Sequence, residues 1–210
     1  MNGELVFEDV GFETRAISPF KEIGAYEALW DESGASFKTI SEKISAKPGA
    51  VPSDFVPLSK ARDYATAVLK LFSEKLIKGF GIRVHGAGEY PQKLRDAAYP
   101  IELLYYQGWW DLIDSRCVAV VGARNPSKEG LARVRKLVRR LVEDDFTVVS
   151  GLAKGVDTEA HNTAISIGGR TIAVIGTPIS HVYPKENREL QKKISEQFLL
   201  ISQVPVLKYE

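Results

Sequence analysis

Four short runs of apolar, β-branched residues recur in the second half of the chain: Cys117-Val-Ala-Val-Val-Gly-Ala, Phe146-Thr-Val-Val-Ser-Gly, Thr171-Ile-Ala-Val-Ile-Gly and Phe198-Leu-Leu-Ile-Ser. Their continuous apolarity, without alternation, predicts strands covered on both faces. Cys117 opens the first run and is expected to be an inert core thiol of an inner strand. The intervening stretches carry a helical period. From Gly130 to Glu143, Leu131, Val134, Leu137, Val138, Leu141 and Val142 follow i, i+3, i+4 spacing. Arg133, Arg135, Lys136, Arg139 and Arg140 fall on the opposite, solvated side. A second helix is predicted over Asp157–Ile167, ending at Gly168-Gly169, and a third over Lys185–Gln197, beginning beside Pro184. Strand and helix alternate four times, which predicts a doubly wound parallel α/β sheet.

The first half has a different pattern. Lys21–Trp30 and Arg62–Ile77 read as helices, the latter with Ala65, Val68, Leu69, Phe72 and Leu76 on one face. A breaker-rich loop, Ala46-Lys-Pro-Gly-Ala-Val-Pro-Ser-Asp, lies between them. Two strand-like runs follow, Gly81-Ile-Arg-Val-His-Gly and Leu103-Leu-Tyr-Tyr-Gln-Gly. The division expected is a small helical N-terminal domain over residues 1–80 and an α/β domain over residues 81–210. Four strands are fewer than the five or six usual in doubly wound sheets. Either the lead-in strands complete the sheet, or the chain is part of a longer protein.

Composition narrows the class. The chain has 210 residues, 44% hydrophobic and 26% charged, within the soluble globular range. No apolar run approaches the roughly 18–20 residues of a membrane span. The acidic start, MNGELVFEDVGFE, is unlike a signal or transit peptide, so a cytoplasmic location is expected. One Cys and three His cannot form a dedicated structural zinc site, and no metal or cofactor is expected. The net charge of +1 is unevenly spread. Residues 1–116 hold 14 basic against 17 acidic side chains, and residues 117–210 hold 14 against 10. The second half therefore favours an anionic partner.

Candidate chemistry follows from the rule that open parallel sheets bind ligands beyond the carboxyl ends of their strands. After the first C-terminal strand comes Gly122-Ala-Arg124-Asn125-Pro126-Ser127. Arg124 occupies the position where a dinucleotide-binding turn has its second glycine, and its guanidinium suits a phosphate; a solvated arginine on a tight turn is the plainer alternative. Ser127 is a candidate N-cap of the next helix. After the second strand, Ser150-Gly151-Leu-Ala-Lys154-Gly155 can present backbone N–H groups and an ammonium to an anion. Asp157 is expected to cap the following helix. A Ser150–Asp157–His161 catalytic triad is conceivable from spacing, but no catalysis is assigned. After the third strand come Gly176 and then Tyr183-Pro184-Lys185-Glu186-Asn187, with Lys185 and Asn187 at a helix start. The aromatic cluster Tyr105, Tyr106, Trp109, Trp110 is expected to pack rather than to stack bases.

The ordered set Tyr90-Pro91…Leu94, Gly108, Val120-Val121-Gly122-Ala123-Arg124-Asn125-Pro126-Ser127…Gly130, Ser150-Gly151-Leu152-Ala153-Lys154-Gly155-Val156-Asp157…Ala160-His161, Gly169…Gly176 and Tyr183-Pro184-Lys185-Glu186-Asn187 resembles the DNA-processing protein A family, DprA or Smf, from about residue 81 onward. The resemblance implies a Rossmann-like domain preceded by a small helical domain. It further implies non-enzymatic binding of single-stranded DNA, homodimerisation, and delivery of DNA to a RecA-type recombinase in natural transformation. The DNA/phosphate-binding residues it implies are Gly122, Arg124, Ser127, Ser150, Gly151, Lys154, Gly155, Gly176, Lys185 and Asn187. In the family the sheet continues past the equivalent of Glu210, so the domain is expected to be incomplete at its C-terminus. Ser202-Gln203 stands where many members have Ser-Glu. The competing reading is a nucleotide-sensing or nucleotide-binding domain of the same superfamily. A phosphoribohydrolase-type enzyme is disfavoured, because its Gly-Gly-x-Gly-Thr loop is absent from the sequence.

Overall fold

Apolar residues at helical spacing gather the first part of the chain around one buried helix. The computed structural model describes residues 15–95 and 97–209; the acidic stretch that begins the chain lies outside them. Helices α1 (Pro19–Trp30), α2 (Phe37–Ser45) and α3 (Leu58–Glu74) lead into β1 (Phe80–Val84). Every residue of α1 from Glu22 to Trp30 is buried. Gly24 makes this possible, because a Cβ there would sit 1.7 Å from the Ala61 carbonyl oxygen of α3. Helix α2 is an addition to the elements read from the sequence; its signals are Phe37, Ile40 and Ile44 at helical spacing and the capping box in which Ser36 accepts from Thr39 N and the Thr39 side chain accepts from Ser36 N.

The chain continues through the short α4 (Gln92–Arg95), β2 (Leu103–Gly108) and β3 (Cys117–Ala119) to α5 (Lys128–Glu143). The remaining elements are β4 (Thr147–Ser150), α6 (Val156–Ser166), β5 (Thr171–Ile175), α7 (Arg188–Gln197) and β6 (Leu199–Ser202). Six strands form one sheet in the order β1-β2-β6-β5-β4-β3. Strands β3 to β6 pair in parallel, whereas β1–β2 and β2–β6 are antiparallel. The lead-in strands thus complete the sheet, and the α/β class is as read from the sequence. The sheet is mostly parallel, with β1 and β2 joining it antiparallel, and α5 to α7 lie on one face where a doubly wound sheet would carry them on both.

Because β3 to β6 step across the sheet in one direction, right-handed crossovers place their helices on one face. Val134, Val138 and Leu141 of α5 pack on Val148 with Ala160 and Ala164 of α6, while Leu190 and Ile194 of α7 meet Ala173, Ile175 and Leu200. Leu103 and Tyr105 of β2 share the core of α1 and α3. On the other face Leu112 and Trp110 of the turn Trp110–Asp114, together with Tyr90, pack on Leu104, Leu199 and Ile201, while α4 lines a cavity over the same face. Cys117 corrects its expectation: β3 is the edge strand among the described residues, and the thiol is exposed.

Candidate nucleic-acid interface

Parallel strands deliver their carboxyl ends to one rim, and three βα loops meet there. A cavity of approximately 540 Å³ is lined by Arg124 and Asn125 after β3, by Ala153 and Lys154 after β4, and by Val182–Glu186 after β5. Arg124, Lys154 and Lys185 are exposed and make no ion pair among the described residues. Glu186 is the single acid on this lining. Three unpaired cations from three separate loops converge on one concave, open space, which favours an anion with several charged oxygens.

The loops are fixed by buried polar groups. The Asp157 Oδ2 accepts from Gly151 N at 3.2 Å and Ala153 N at 3.4 Å. Asp157 therefore shapes the loop instead of capping α6, whose N-cap is Gly155. Gly155 has φ +90, and a Cβ there would lie 2.4 Å from the Ala123 carbonyl oxygen. This close approach holds the Arg124 and Lys154 loops together, reinforced by the Val156 N–H donating to Ala123 O at 3.1 Å. Leu152 is fully buried with φ +60, a strained conformation for a γ-branched residue. Its carbonyl accepts from Asn187 Nδ2 at 2.9 Å, and the same nitrogen reaches Thr158 Oγ1 at 2.8 Å.

The residues singled out by sequence therefore separate by position. Arg124, Lys154 and Lys185 line the cavity. Ser127 caps α5, its hydroxyl accepting from Gly130 N at 3.1 Å. Gly122 lies under Val156, Gly151 against Asp157, and Gly176 in open space. Ser150 and Asn187 are buried, and the Ser150 hydroxyl donates to Val120 O at 2.7 Å. His161 is buried behind the loop, its Nδ1 2.7 Å from Thr171 Oγ1. Since Thr171 donates its own proton to Val148 O, its hydroxyl accepts from the Nδ1–H of a neutral imidazole. Burial lowers the His161 pKa to about 4. Ser150, Asp157 and His161 thus bond to different partners and form no proton relay.

Two features escaped the sequence reading. Asn187 ties the Leu152 loop to α6, a contact across 35 residues for which local spacing gives no signal. Tyr183 stands 60% exposed on the cavity wall. The aromatic cluster is divided. Tyr105 is fully buried, Tyr106 and Trp110 pack at 4.6 Å between centroids with the Arg83 guanidinium against both, and Trp109 is exposed. Among the described residues no group of three or more His, Cys, Asp or Glu could hold a metal, and no helix is long and apolar enough to cross a membrane.

Residues 81–209 match the family model of DNA recombination-mediator protein A. Over 114 residues the chain is 46% identical to DNA processing protein DprA of Streptococcus pneumoniae, covering 54% of this chain and 40% of that protein. Over 122 residues it is 40% identical to Protein Smf of Synechocystis, covering 56% of this chain and 31% of that protein. The matched stretch thus spans 31% to 40% of these curated relatives. The X-ray structure of Streptococcus pneumoniae DprA superposes with a TM-score of 0.57 at 29% identity, over 91% of this chain and 65% of that one. Helicobacter pylori DNA processing protein A, whose structure is described for its single-stranded DNA binding mode, gives a TM-score of 0.54 at 25% identity, over 60% of this chain and 56% of that one.

Proposed function

The chain belongs to the DNA recombination-mediator protein A family, and from that premise we propose that it binds single-stranded DNA without chemically altering it. The observation that carries this reading is the convergence of Arg124, Lys154 and Lys185, each without an acidic partner among the described residues, on one cavity at the strand ends. Their role is to hold phosphate oxygens, with Gly122, Gly151 and Gly155 letting the loops pack closely on Val156, Asp157 and the Ala123 carbonyl so that the cations converge, while Gly176 is not on the cavity wall. Ser127, Ser150 and Asn187 act through the loops they fix. Selectivity for single strands follows from a concave site that admits a flexible backbone more readily than a stiff duplex.

The larger role, in keeping with the family, is delivery of single strands to a RecA-type recombinase in the cytoplasm during natural transformation. A second copy of the chain acts as dimer partner. The test is fluorescence anisotropy of a labelled oligo-dT across a salt series, with duplex DNA and free mononucleotides as competitors. Salt-sensitive binding displaced by single strands, and not by mononucleotides, is the expected result. Displacement by mononucleotides at low concentration would transfer the cavity to a nucleotide-sensing role.

A further inference from the structure

Helix α5 leaves the cavity rim directly: Arg124 and Asn125 line the cavity, Ser127 caps the helix, and Lys128 is its first residue. Its inner side is given over to the sheet through Val134, Val138, Leu141 and Val142. Lys128, Arg133, Lys136 and Arg139 are exposed and have no ion-pair partner among the described residues. The two other arginines are already engaged. Arg135 bonds Glu159 of α6 at 2.8 Å, and Arg140 bonds Glu143 at 3.4 Å and Asp144 at 3.1 Å. Of the acids on this side, Glu143 is paired with Arg140, while Glu129 stays ionised, its carboxyl held below the usual range by its own backbone N–H and the Ser127 hydroxyl, so the ridge carries four unpaired cations against that one carboxylate. At 1.5 Å per residue the four free cations extend over about 16 Å.

We propose that this ridge is a second contact for nucleic acid: the backbone of a single strand held in the cavity continues along α5 over Lys128, Arg133, Lys136 and Arg139. This rests on the single-strand reading above. A polynucleotide is the occupant that fits, because the ridge is continuous with a cavity built for the same charge, and one polymer can occupy both. The contact is to phosphates and is indifferent to sequence. Its consequence is that affinity grows with strand length beyond what the cavity alone can engage.

The test compares the full chain with a triple variant, Arg133→Gln, Lys136→Gln, Arg139→Gln, using labelled oligo-dT of about 4 and about 20 nucleotides, lengths that bracket common single-strand site sizes. Thermal melting checks that both proteins fold alike. The expected result is a loss of about tenfold or more for the long strand at low salt, with a salt slope smaller by about 2, and unchanged affinity for the short one. A long strand bound equally by both proteins, or a loss of equal size at both lengths, overturns the ridge while leaving the cavity reading intact. If the unaltered chain binds neither length, the single-strand reading fails and the ridge with it. Should the triple variant fail to fold, Lys136→Gln alone is measured, with the same length comparison and a salt slope smaller by about 0.7.

Discussion

Arg124 lies on an exposed turn with no acidic partner, so replacing it removes charge from the cavity and little from the core. Arg124→Ala is expected to weaken oligonucleotide binding by about 1–3 kcal/mol, the range for losing a charge-assisted contact, with the melting temperature unchanged. Anisotropy and thermal melting of the same sample check both halves of that statement. His161 behaves oppositely, being structural and titratable. Its folded pKa, lowered to about 4 by burial, lies below the ordinary value near 6.5. Stability from keeping it neutral is therefore complete above about pH 6.5 and is lost as pH falls toward 4, about 3 kcal/mol in all. Glu27, whose carboxyl is raised by burial, acts in the other direction. The decisive comparison is therefore between proteins: His161→Gln should be less stable at pH 7 and lose much less stability between pH 6.5 and 4. Parallel pH profiles of denaturation midpoint for the two proteins would remove His161 as the cause. Residue identity was legible where loop position alone decides exposure, as at Arg124, Lys154 and Lys185. It was illegible where burial is set by distant chain, as at Asn187.

At the level of elements, the parallel strands, α5 and α7 could be read from periodicity because each is amphipathic or continuously apolar on its own, whereas α6 was read from Ala160 and Ala164 in register and the Gly168-Gly169 stop. Helix α1 was legible as a helix but not in its setting, since two acids, Glu22 and Glu27, are buried in it. Nothing local signals that Ser53 N donates to Glu22 Oε2 at 2.9 Å. The edge position of β3 was also hidden, because strand order comes from crossovers rather than from the strand's own residues. The loop before α6 is the element whose shape the site depends on most. Gly155→Ala forces a Cβ into the Ala123 and Arg124 carbonyls, at 2.4 Å and 2.6 Å, in a backbone region closed to L-residues. The cost should be about 1–3 kcal/mol of stability, together with weaker oligonucleotide binding as the Arg124 turn is displaced. Denaturant unfolding and anisotropy report the two effects separately; unchanged binding would show that the turn can shift without moving the guanidinium.

For the molecule as a whole, the question is whether the helical lead α1 to α3 unfolds apart from the sheet. One buried cluster joins Tyr26, Leu29 and Trp30 of α1 with Phe72 of α3, Ile82, Leu103 and Tyr105 of the strands, and Val206 beyond β6. At its centre the Glu27 carboxylate accepts from the Tyr105 hydroxyl at 2.6 Å, Val206 N at 2.7 Å and Leu207 N at 2.9 Å. The Tyr26 hydroxyl donates to Gln203 O at 2.8 Å, and Lys208 Nζ to Trp30 O at 2.9 Å. The segment leaving the parallel sheet is therefore held by the first helix, through contacts nearly 180 residues apart in sequence. No composition boundary near residue 80 could reveal this, because each bond between α1 and this segment has a backbone group on one side, Val206 N and Leu207 N as donors and Gln203 O and Trp30 O as acceptors. Removing the carboxylate leaves three donors unmet, two of them buried, so Glu27→Ala should cost about 3–5 kcal/mol. Adding Tyr105→Phe removes one of those donors and should recover part of the loss. In the unaltered chain the shared cluster predicts a single unfolding transition, with far-UV circular dichroism and tryptophan fluorescence superimposed. Two separated transitions would mean that the lead is an independent unit and that Glu27 joins two folded parts without making them one.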